Sequence, residues 1–345
     1  RTMKKKILFA TALMAVAMAM PAYADDAVPT ITADSPQVTK HFVMAEGLAI
    51  PSETFSFTAT AVTADAPDAT IANVSYSSTD NYGDLTTENY YSIDKNAAIT
   101  FGEFPHAGLY EYTVTETAGS TTGVTYDDAN YNLRVYVVNK DGGDLEVQTI
   151  TAAKNDEKED EIGFTNTYRK NASLTITKNT VGSMADKTKA FTFTITFTKS
   201  GTEDASVTSY TGKIGEEDIV CEIGKETSFN LHGGESLVFD SLPAGTRYTV
   251  TEVGAEDGYK PSVKVVENGV QQSERTATDA DSLSTADTNE TNLIGENENK
   301  VEFTNTYDDI PVTGLVLNNL PAVMLIAVSA AALVLLTLCK RRRKN

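Results

Sequence analysis

The same three short motifs occur twice along this chain, in the same order and at nearly the same spacing. VTK and later ITK each end in a lysine, YTVTE ends twice in a glutamate, and FTNTY occurs twice around an asparagine. The lysine-to-glutamate spacing is 76 and then 74 residues, and the glutamate-to-asparagine spacing is 50 and then 53. These six residues are Lys40, Glu116 and Asn166, then Lys178, Glu252 and Asn305. Such internal similarity predicts two copies of one domain.

The residues between the motifs form short alternating runs that are rich in Val, Thr, Tyr and Phe and are separated by Gly, Asp and Asn. The clearest hairpin joins Tyr131–Val138 to Leu145–Ile150 through a turn that contains two glycines. Alternation with period two indicates β-strands. The sequence therefore predicts an all-β chain with two tandem β-sandwich domains, at residues 30–168 and 171–307, joined by a short linker.

Strand alternation predicts that the six repeated polar residues point into the two cores. Residues two apart in a strand share a face, so Glu116 lies on the side of Tyr112 and Val114. The same count places each lysine and each asparagine on an apolar face. Burying an isolated lysine or glutamate costs several kcal/mol, so such groups are paired or reactive when they occur inside a protein.

Two interpretations of each buried set follow from the residues alone. The first is a Lys–Glu ion pair capped by the asparagine amide. The second is a reaction, because desolvation lowers the pKa of a lysine and raises that of a glutamic acid. A neutral amine can then attack the asparagine carbonyl while the glutamic acid relays protons to the departing ammonia. The residues by themselves leave both interpretations open.

The two ends of the sequence are typical of an exported protein. Three lysines, an apolar run and Ala22-Tyr23-Ala24 predict a secretory signal peptide at residues 1–24. Near the other end, Leu320–Leu338 is free of charge and precedes a basic tail, which predicts a transmembrane helix within residues 315–339 and a cytoplasmic tail at 340–345.

The pentapeptide before this span resembles the LPXTG cell-wall sorting signal that sortases read. Its residues are Ile310, Pro311, Val312, Thr313 and Gly314. The resemblance implies cleavage between Thr313 and Gly314 and transfer of the Thr313 carbonyl to an amine. Isoleucine in the first position leaves the class of sortase open.

Charge and cysteine content narrow the classes of partner. The formal net charge is −20, and the two end segments hold nine basic residues and no acidic ones, so residues 25–313 carry about −29. So acidic a surface argues against nucleic acid and anionic membranes as partners. Cys221 is the one thiol outside the predicted span, and we interpret it as an incidental small residue rather than a nucleophile. Neither a metal nor a cofactor is expected.

The repeated motifs, with the runs Gly123–Asp127 and Tyr131–Val135, resemble the streptococcal FctA-type pilins. That resemblance implies immunoglobulin-like (CnaB-type) domains with intramolecular Lys–Asn isopeptide bonds. By position it implies that Lys40 is bonded to Asn166 with Glu116 as the catalytic group. It implies the same roles for Lys178, Asn305 and Glu252 in the second domain.

The same resemblance implies a pilus backbone subunit that a pilus-type sortase polymerises and attaches to peptidoglycan or to an anchoring pilin. Thr313 would be the acyl donor, and Lys158 or Lys154 of the next copy the acceptor. A monomeric wall-anchored adhesin or minor pilin is the alternative, with a host-cell ligand that the sequence does not identify. An enzyme is disfavoured, because inward-facing sets that react once are consumed. The polar stretch 270–300 is expected to be a solvated loop.

Overall fold

The computed structural model describes residues 35–307, which contain strands and turns and no helix. The all-β prediction is confirmed for these residues. These residues therefore contain no candidate membrane-spanning helix. The predicted signal peptide at 1–24, the pentapeptide at 310–314, the span at 315–339 and the tail at 340–345 lie outside them.

Eleven strands form the first half of the fold. They are β1 (Gln37–Ala45), β2 (Glu53–Ala61), β3 (Ala69–Ile71), β4 (Val74–Tyr76), β5 (Tyr90–Phe101), β6 (Gly108–Thr117), β7 (Val124–Thr125), β8 (Asn130–Asn139), β9 (Leu145–Lys154), β10 (Glu157–Glu159) and β11 (Ile162–Tyr168).

Thirteen strands form the second half. They are β12 (Asn171–Val181), β13 (Phe191–Thr198), β14 (Ser209–Ile214), β15 (Glu217–Glu222), β16 (Thr227–Leu231), β17 (Ser236–Pro243), β18 (Arg247–Glu252), β19 (Lys260–Glu267), β20 (Val270–Gln271), β21 (Arg275–Thr276), β22 (Leu283–Ser284), β23 (Asn292–Leu293) and β24 (Lys300–Thr306).

Strand β5 joins the two layers of the first domain. One layer has the order β10-β9-β8-β6-β2-β3, and the other has the order β5-β1-β11-β7. Residues Tyr90–Ala98 of β5 pair with β1, whereas Ile99–Phe101 pair with β3, so the strand passes from one layer to the other. Alternating apolar side chains such as Phe42, Tyr112 and Phe164 fill the space between the layers.

The second domain consists of two separate sheets. One has the order β15-β14-β17-β12-β24-β19-β20 and the other β16-β13-β18-β22. Its buried apolar cluster begins at Leu174, and it includes Phe193 and Phe303 on strands that correspond to β2 and β11 of the first domain. Each domain therefore has a core of its own.

The two domains share the frame that carries the repeated motifs. The first and last strands lie side by side and parallel in both, as β1 with β11 and β12 with β24. The strand that carries the glutamate pairs with the second strand of its domain, β6 with β2 and β18 with β13, so that Phe57 lies opposite Glu116 and Phe193 opposite Glu252. The prediction of one repeated design is confirmed for this frame.

After the glutamate-bearing strand the two domains differ. In the first, the two-residue β7 pairs with β11, and the chain then crosses to the other layer as β8, which pairs with β6. In the second, the chain passes from β18 into the layer of the lysine and asparagine. It remains there as the long strand β19, which pairs with β24.

The expectation of a solvated loop at 270–300 is wrong. The stretch contains four two-residue strands, of which β22 and β23 pair with β18. Leu283, Leu293 and Ile294 are buried in the second domain. These few apolar residues reach the core although the segment around them is polar, which composition over the whole stretch does not reveal.

Two buried lysine, glutamate and asparagine clusters

Strand pairing brings the three residues of each motif set together. Lys40 lies opposite Phe164, and Asn166 lies opposite Phe42, so the lysine and the asparagine are diagonal neighbours on one face of the β1–β11 pair. Glu116 reaches them from β6 in the facing layer. The second domain repeats this arrangement with Lys178 on β12, Asn305 on β24 and Glu252 on β18.

All six side chains point inward, as predicted. Both lysines and both asparagines have 0% exposure. The side chains of Glu116 and Glu252 are 0% and 1% exposed. Ionisable side chains are rarely buried to this degree unless they are paired. The clusters are therefore the most unusual chemical feature of either core.

In the first cluster one carboxyl group contacts both potential reactants. Lys40 Nζ lies 2.9 Å from Glu116 Oε2. Asn166 Nδ2 donates a short hydrogen bond to the other oxygen, Oε1. Lys40 Nζ also donates to the carbonyl oxygen of Phe164 at 3.0 Å. The amine and the amide are thus held on the two oxygens of a single carboxyl group.

In the second cluster both contacts fall on the same carboxyl oxygen. Lys178 Nζ donates to Glu252 Oε1 at 2.7 Å, and Asn305 Nδ2 donates to that atom at 2.7 Å as well. Within residues 35–307, Glu252 Oε2 and Asn305 Oδ1 are buried without a hydrogen-bond partner. In the first cluster Glu116 Oε2 also lacks a hydrogen-bond partner, although Lys40 Nζ lies 2.9 Å away, so the second cluster has the same members with fewer of their polar atoms satisfied.

Burial shifts the lysines towards the neutral amine. Desolvation lowers the pKa of Lys40 to about 8, against the opposing effect of Glu116, and it lowers the pKa of Lys178 to about 8 in the same way. Desolvation also raises the pKa of Glu116 above its ordinary value. In the first cluster these shifts move the two groups towards a neutral amine and a protonated carboxyl, the protonation states that nucleophilic attack requires.

Aromatic rings form the walls around both lysines. Lys40 Nζ lies 4.6 Å from the ring centre of Phe55, and Lys178 Nζ lies 4.2 Å from that of Phe191. These rings exclude water from the amines, and a ring face also offers weak electrostatic stabilisation to the charged form. Desolvation is the larger effect, since it is the first cause of both lowered pKa values.

One contact in the first cluster comes from a residue to which the sequence assigned no role. The backbone N–H of Asp127 donates to Asn166 Oδ1 at 2.8 Å. Asp127 lies between β7 and β8, where the chain crosses from one layer to the other. A backbone donor leaves no mark on side-chain periodicity, so in the sequence this segment is marked only by the run Gly123–Asp127.

The two candidate acceptor lysines lie on one hairpin at the edge of the first domain. Lys154 ends β9, and its Nζ lies 5.4 Å from the ring centre of Tyr131. Lys158 lies on β10, the outermost strand of its layer, and is exposed. Local desolvation nevertheless lowers the pKa of Lys158. Of the two, Lys158 is the more accessible amine.

The predicted donor residues lie outside the described part of the chain. These are Ile310, Pro311, Val312, Thr313 and Gly314, and their assignment as a sorting motif stays a prediction.

Two family sequence models match the chain, one for each domain. Residues 36–169 match FctA, described as a Spy0128-like isopeptide containing domain. Residues 172–307 match DUF7601, a domain of unknown function. The two domains match different family models, in agreement with the different routes of the chain after β6 in the first domain and after β18 in the second.

Curated relatives come from one bacterial species. A pilus tip adhesin, Cpa, of Streptococcus pyogenes is 37% identical over 142 residues, which are 41% of this chain and 18% of the adhesin. A pilin of Streptococcus pyogenes serotype M1 is 30% identical over 198 residues, which are 55% of this chain and 54% of that pilin. The match thus spans about half of the pilin and a smaller part of the adhesin.

Solved structures of major pilins from Streptococcus pyogenes are also similar. One has 22% identity and a TM-score of 0.37, with coverage of 80% of this chain and 99% of that one. A second has 24% identity and a TM-score of 0.37, with coverage of 81% and 99%. The sequence matches carry more weight than these structural likenesses. Residues 36–169 are similar to the FctA family of Spy0128-like isopeptide-containing domains, and parts of the chain are similar in sequence to a pilin and to a pilus tip adhesin of Streptococcus pyogenes.

Proposed function

We propose that this chain is a structural backbone subunit of a covalent cell-surface pilus and that each of its domains forms an intramolecular Lys–Asn isopeptide bond. The observation that carries the second part is the single buried carboxyl group that contacts both an amine and an amide in each core. Homology to a pilin and to a pilus adhesin supports the first part.

The arrangement in the first domain supports a direct displacement. Neutral Lys40 Nζ attacks Asn166 Cγ, and a proton passes from Nζ to Glu116 Oε2. Glu116 gives a proton from Oε1 to Asn166 Nδ2, which gains a free lone pair once Cγ becomes tetrahedral. The Cγ–Nδ2 bond then breaks, one ammonia leaves, and Glu116 is again protonated. In the second domain Lys178 would attack Asn305 with the same overall balance, but Glu252 would take the proton from Nζ and give a proton to Nδ2 at the single oxygen, Oε1, that both groups contact.

A permanent ion pair is the simpler alternative, and the energetics disfavour it. A buried ion pair often stabilises a fold less than apolar side chains of the same volume would. Here burial also moves the pKa of Lys40 and that of Glu116 towards the neutral forms, which weakens the attraction between charges. A covalent bond removes the cost of a buried charge altogether.

We expect the intact mass of residues 25–313 to fall short of the sequence mass by two ammonia molecules. Glu116→Ala and Glu252→Ala should each restore one ammonia, because each removes the proton relay of one cluster only. Mass spectrometry of the purified protein measures this directly. A wild-type protein with the full sequence mass would show that the clusters are ion pairs.

Assembly would join Thr313 of one copy to a lysine of the next through a pilus-type sortase, and the base of the polymer would be attached to peptidoglycan or to an anchoring pilin. Lys158 is the proposed acceptor. It is exposed on the edge strand β10, and its lowered pKa increases the fraction of neutral amine. Lys154 packs towards Tyr131 and is less accessible.

Lys158→Ala is expected to abolish the high-molecular-weight ladder in a denaturing gel of cell-wall extract, while the mass deficit of both internal bonds persists. Lys154→Ala is the matched control, since it removes a neighbouring amine of the same hairpin and should leave the ladder unchanged. If only Lys154→Ala removes the ladder, the acceptor is Lys154 instead.

The tip-adhesin relative makes a second function worth testing in the same gel. That relative shares 37% identity with this chain over 142 residues. A monomeric wall-anchored adhesin or a minor pilin would give a single band in the wild type, whereas a backbone subunit gives a ladder with regular spacing.

A further inference from the structure

The carbonyl oxygens of the two buried asparagines have different surroundings. Asn166 Oδ1 accepts a hydrogen bond from the backbone N–H of Asp127 at 2.8 Å. Asn305 Oδ1 is equally buried and has no hydrogen-bond partner within residues 35–307. The two clusters are therefore chemically unequal, although their lysine, glutamate and asparagine match.

The carboxylate of Asp127 holds its own N–H in this position. Asp127 Oδ2 accepts from the backbone N–H of Thr165 at 2.7 Å, and Oδ1 accepts from the N–H of Ala129 at 2.8 Å. Thr165 is the residue before Asn166, so the side chain of Asp127 ties its segment to the strand that carries the asparagine. The donor is thus fixed before any reaction begins.

Strand order explains why the second domain has no such donor. Its chain continues beside β24 as the long strand β19, in which Ser262 lies opposite Thr304, the counterpart of Thr165. Ser262 is also paired with Thr276 of β21, so it lies within the sheet on both sides. In the first domain the corresponding partner, β7, ends at Thr125, which leaves Asp127 free of strand pairing and able to donate to a side chain.

A donor on this oxygen affects the rate of bond formation. When an amine attacks an amide carbonyl, the carbonyl oxygen gains negative charge in the tetrahedral intermediate. A backbone N–H already aimed at that oxygen stabilises the charge without reorganisation, and the loss of one such donor slows acyl transfer in enzymes by about 100- to 1,000-fold.

We propose that the backbone N–H of Asp127 is the oxyanion donor for the Lys40–Asn166 reaction, that the Asp127 carboxylate positions it, and that the first domain therefore closes its bond faster than the second. This inference rests on the proposed isopeptide chemistry. It adds a catalytic group that acts in one domain only.

The test follows both bonds over time in cell-free synthesis of residues 25–313, with cross-linked peptides from each domain quantified by mass spectrometry. In the wild type we expect the Lys40–Asn166 bond to form at least about tenfold faster than the Lys178–Asn305 bond. Asp127→Pro removes the N–H and should slow the first bond about 100-fold. Asp127→Ala keeps the N–H and should slow it less than tenfold. Neither change should alter the second bond.

Hydrogen exchange at β1 and β11 shows whether Asp127→Pro still folds. If it does not, replacement of the Tyr126–Asp127 amide by an ester removes the N–H and keeps the side chain, and the same 100-fold loss is expected. The proposal would be overturned if the Lys40–Asn166 bond formed at the wild-type rate in a protein that lacks the Asp127 N–H. Equal rates of formation for the two bonds in the wild type would also overturn it. A wild type that loses no ammonia would instead refute the isopeptide chemistry itself.

Discussion

A single molecule pulled between Lys158 and Thr313 is expected to release no length from the second domain. Force entering at Lys158 passes along β11 and β12 to Lys178 and then crosses the proposed bond to Asn305. The chain between these two residues, about 126 residues, is bypassed. Since an extended chain spans at most about 3.3–3.6 Å per residue, Glu252→Ala should allow roughly 400 Å of additional extension.

Glu116→Ala is the matched control for this measurement. Most of the first domain precedes Lys158 and lies outside the path of the force. Only the ten residues 159–168 lie between Lys158 and the linker, so loss of the Lys40–Asn166 bond should release no more than about 35 Å. Extension of hundreds of ångströms from the wild type would refute this load path.

Asn166→Ala is expected to lower the melting temperature of the first domain by about 20 °C and to leave the second domain unchanged. The proposed bond closes a loop of about 126 residues, which contributes roughly 5 kcal/mol in the entropy estimate used for disulfides. For a domain of this size each kcal/mol shifts the melting temperature by about 3–5 °C. Calorimetry should resolve the unfolding transitions of the two domains, and Asn305→Ala should lower only the melting temperature of the second domain.

The pH dependence of the same variant separates a lost bond from a lost contact. Without the bond, Lys40 remains an amine whose pKa is about 8 in the folded state and 10.5 when unfolded. Between these values the unfolded state binds more protons, so the stability of Asn166→Ala should rise with pH, by up to about 3 kcal/mol. Below pH 8 Lys40 is protonated in both the folded and the unfolded state, so the full free-energy cost of burying its charge remains.

The wild type provides the reference for this measurement. Its Lys40 nitrogen is an amide in the proposed product, so the difference in stability between wild type and variant should shrink as pH rises from 8 to 10.5. Parallel pH profiles would mean that Lys40 titrates in the wild type as well, and hence that the bond is absent.

Local periodicity was sufficient to place the six buried residues. Alternation in a strand is a short-range property, and it assigns Glu116 to the face of Tyr112 whatever the strand pairs with. The repeated spacing likewise predicted that the two domains share one design, because similar motifs at equal spacing imply a similar fold. That β1 pairs with β11, and β12 with β24, was decided by the tertiary structure. The all-β class followed from the short alternating runs rich in Val, Thr, Tyr and Phe, which are also a short-range property.

Tertiary structure alone decided what surrounds those residues. The route of the chain after the glutamate-bearing strand differs between the domains, and it determines whether the asparagine carbonyl oxygen meets the backbone N–H of Asp127 or, among the described residues, no donor at all. It also places Leu283 and Ile294 in the core of a segment whose composition is polar. Both outcomes depend on strand pairings between residues far apart in sequence, and a short-range pattern carries no information about which distant partner a backbone N–H will meet.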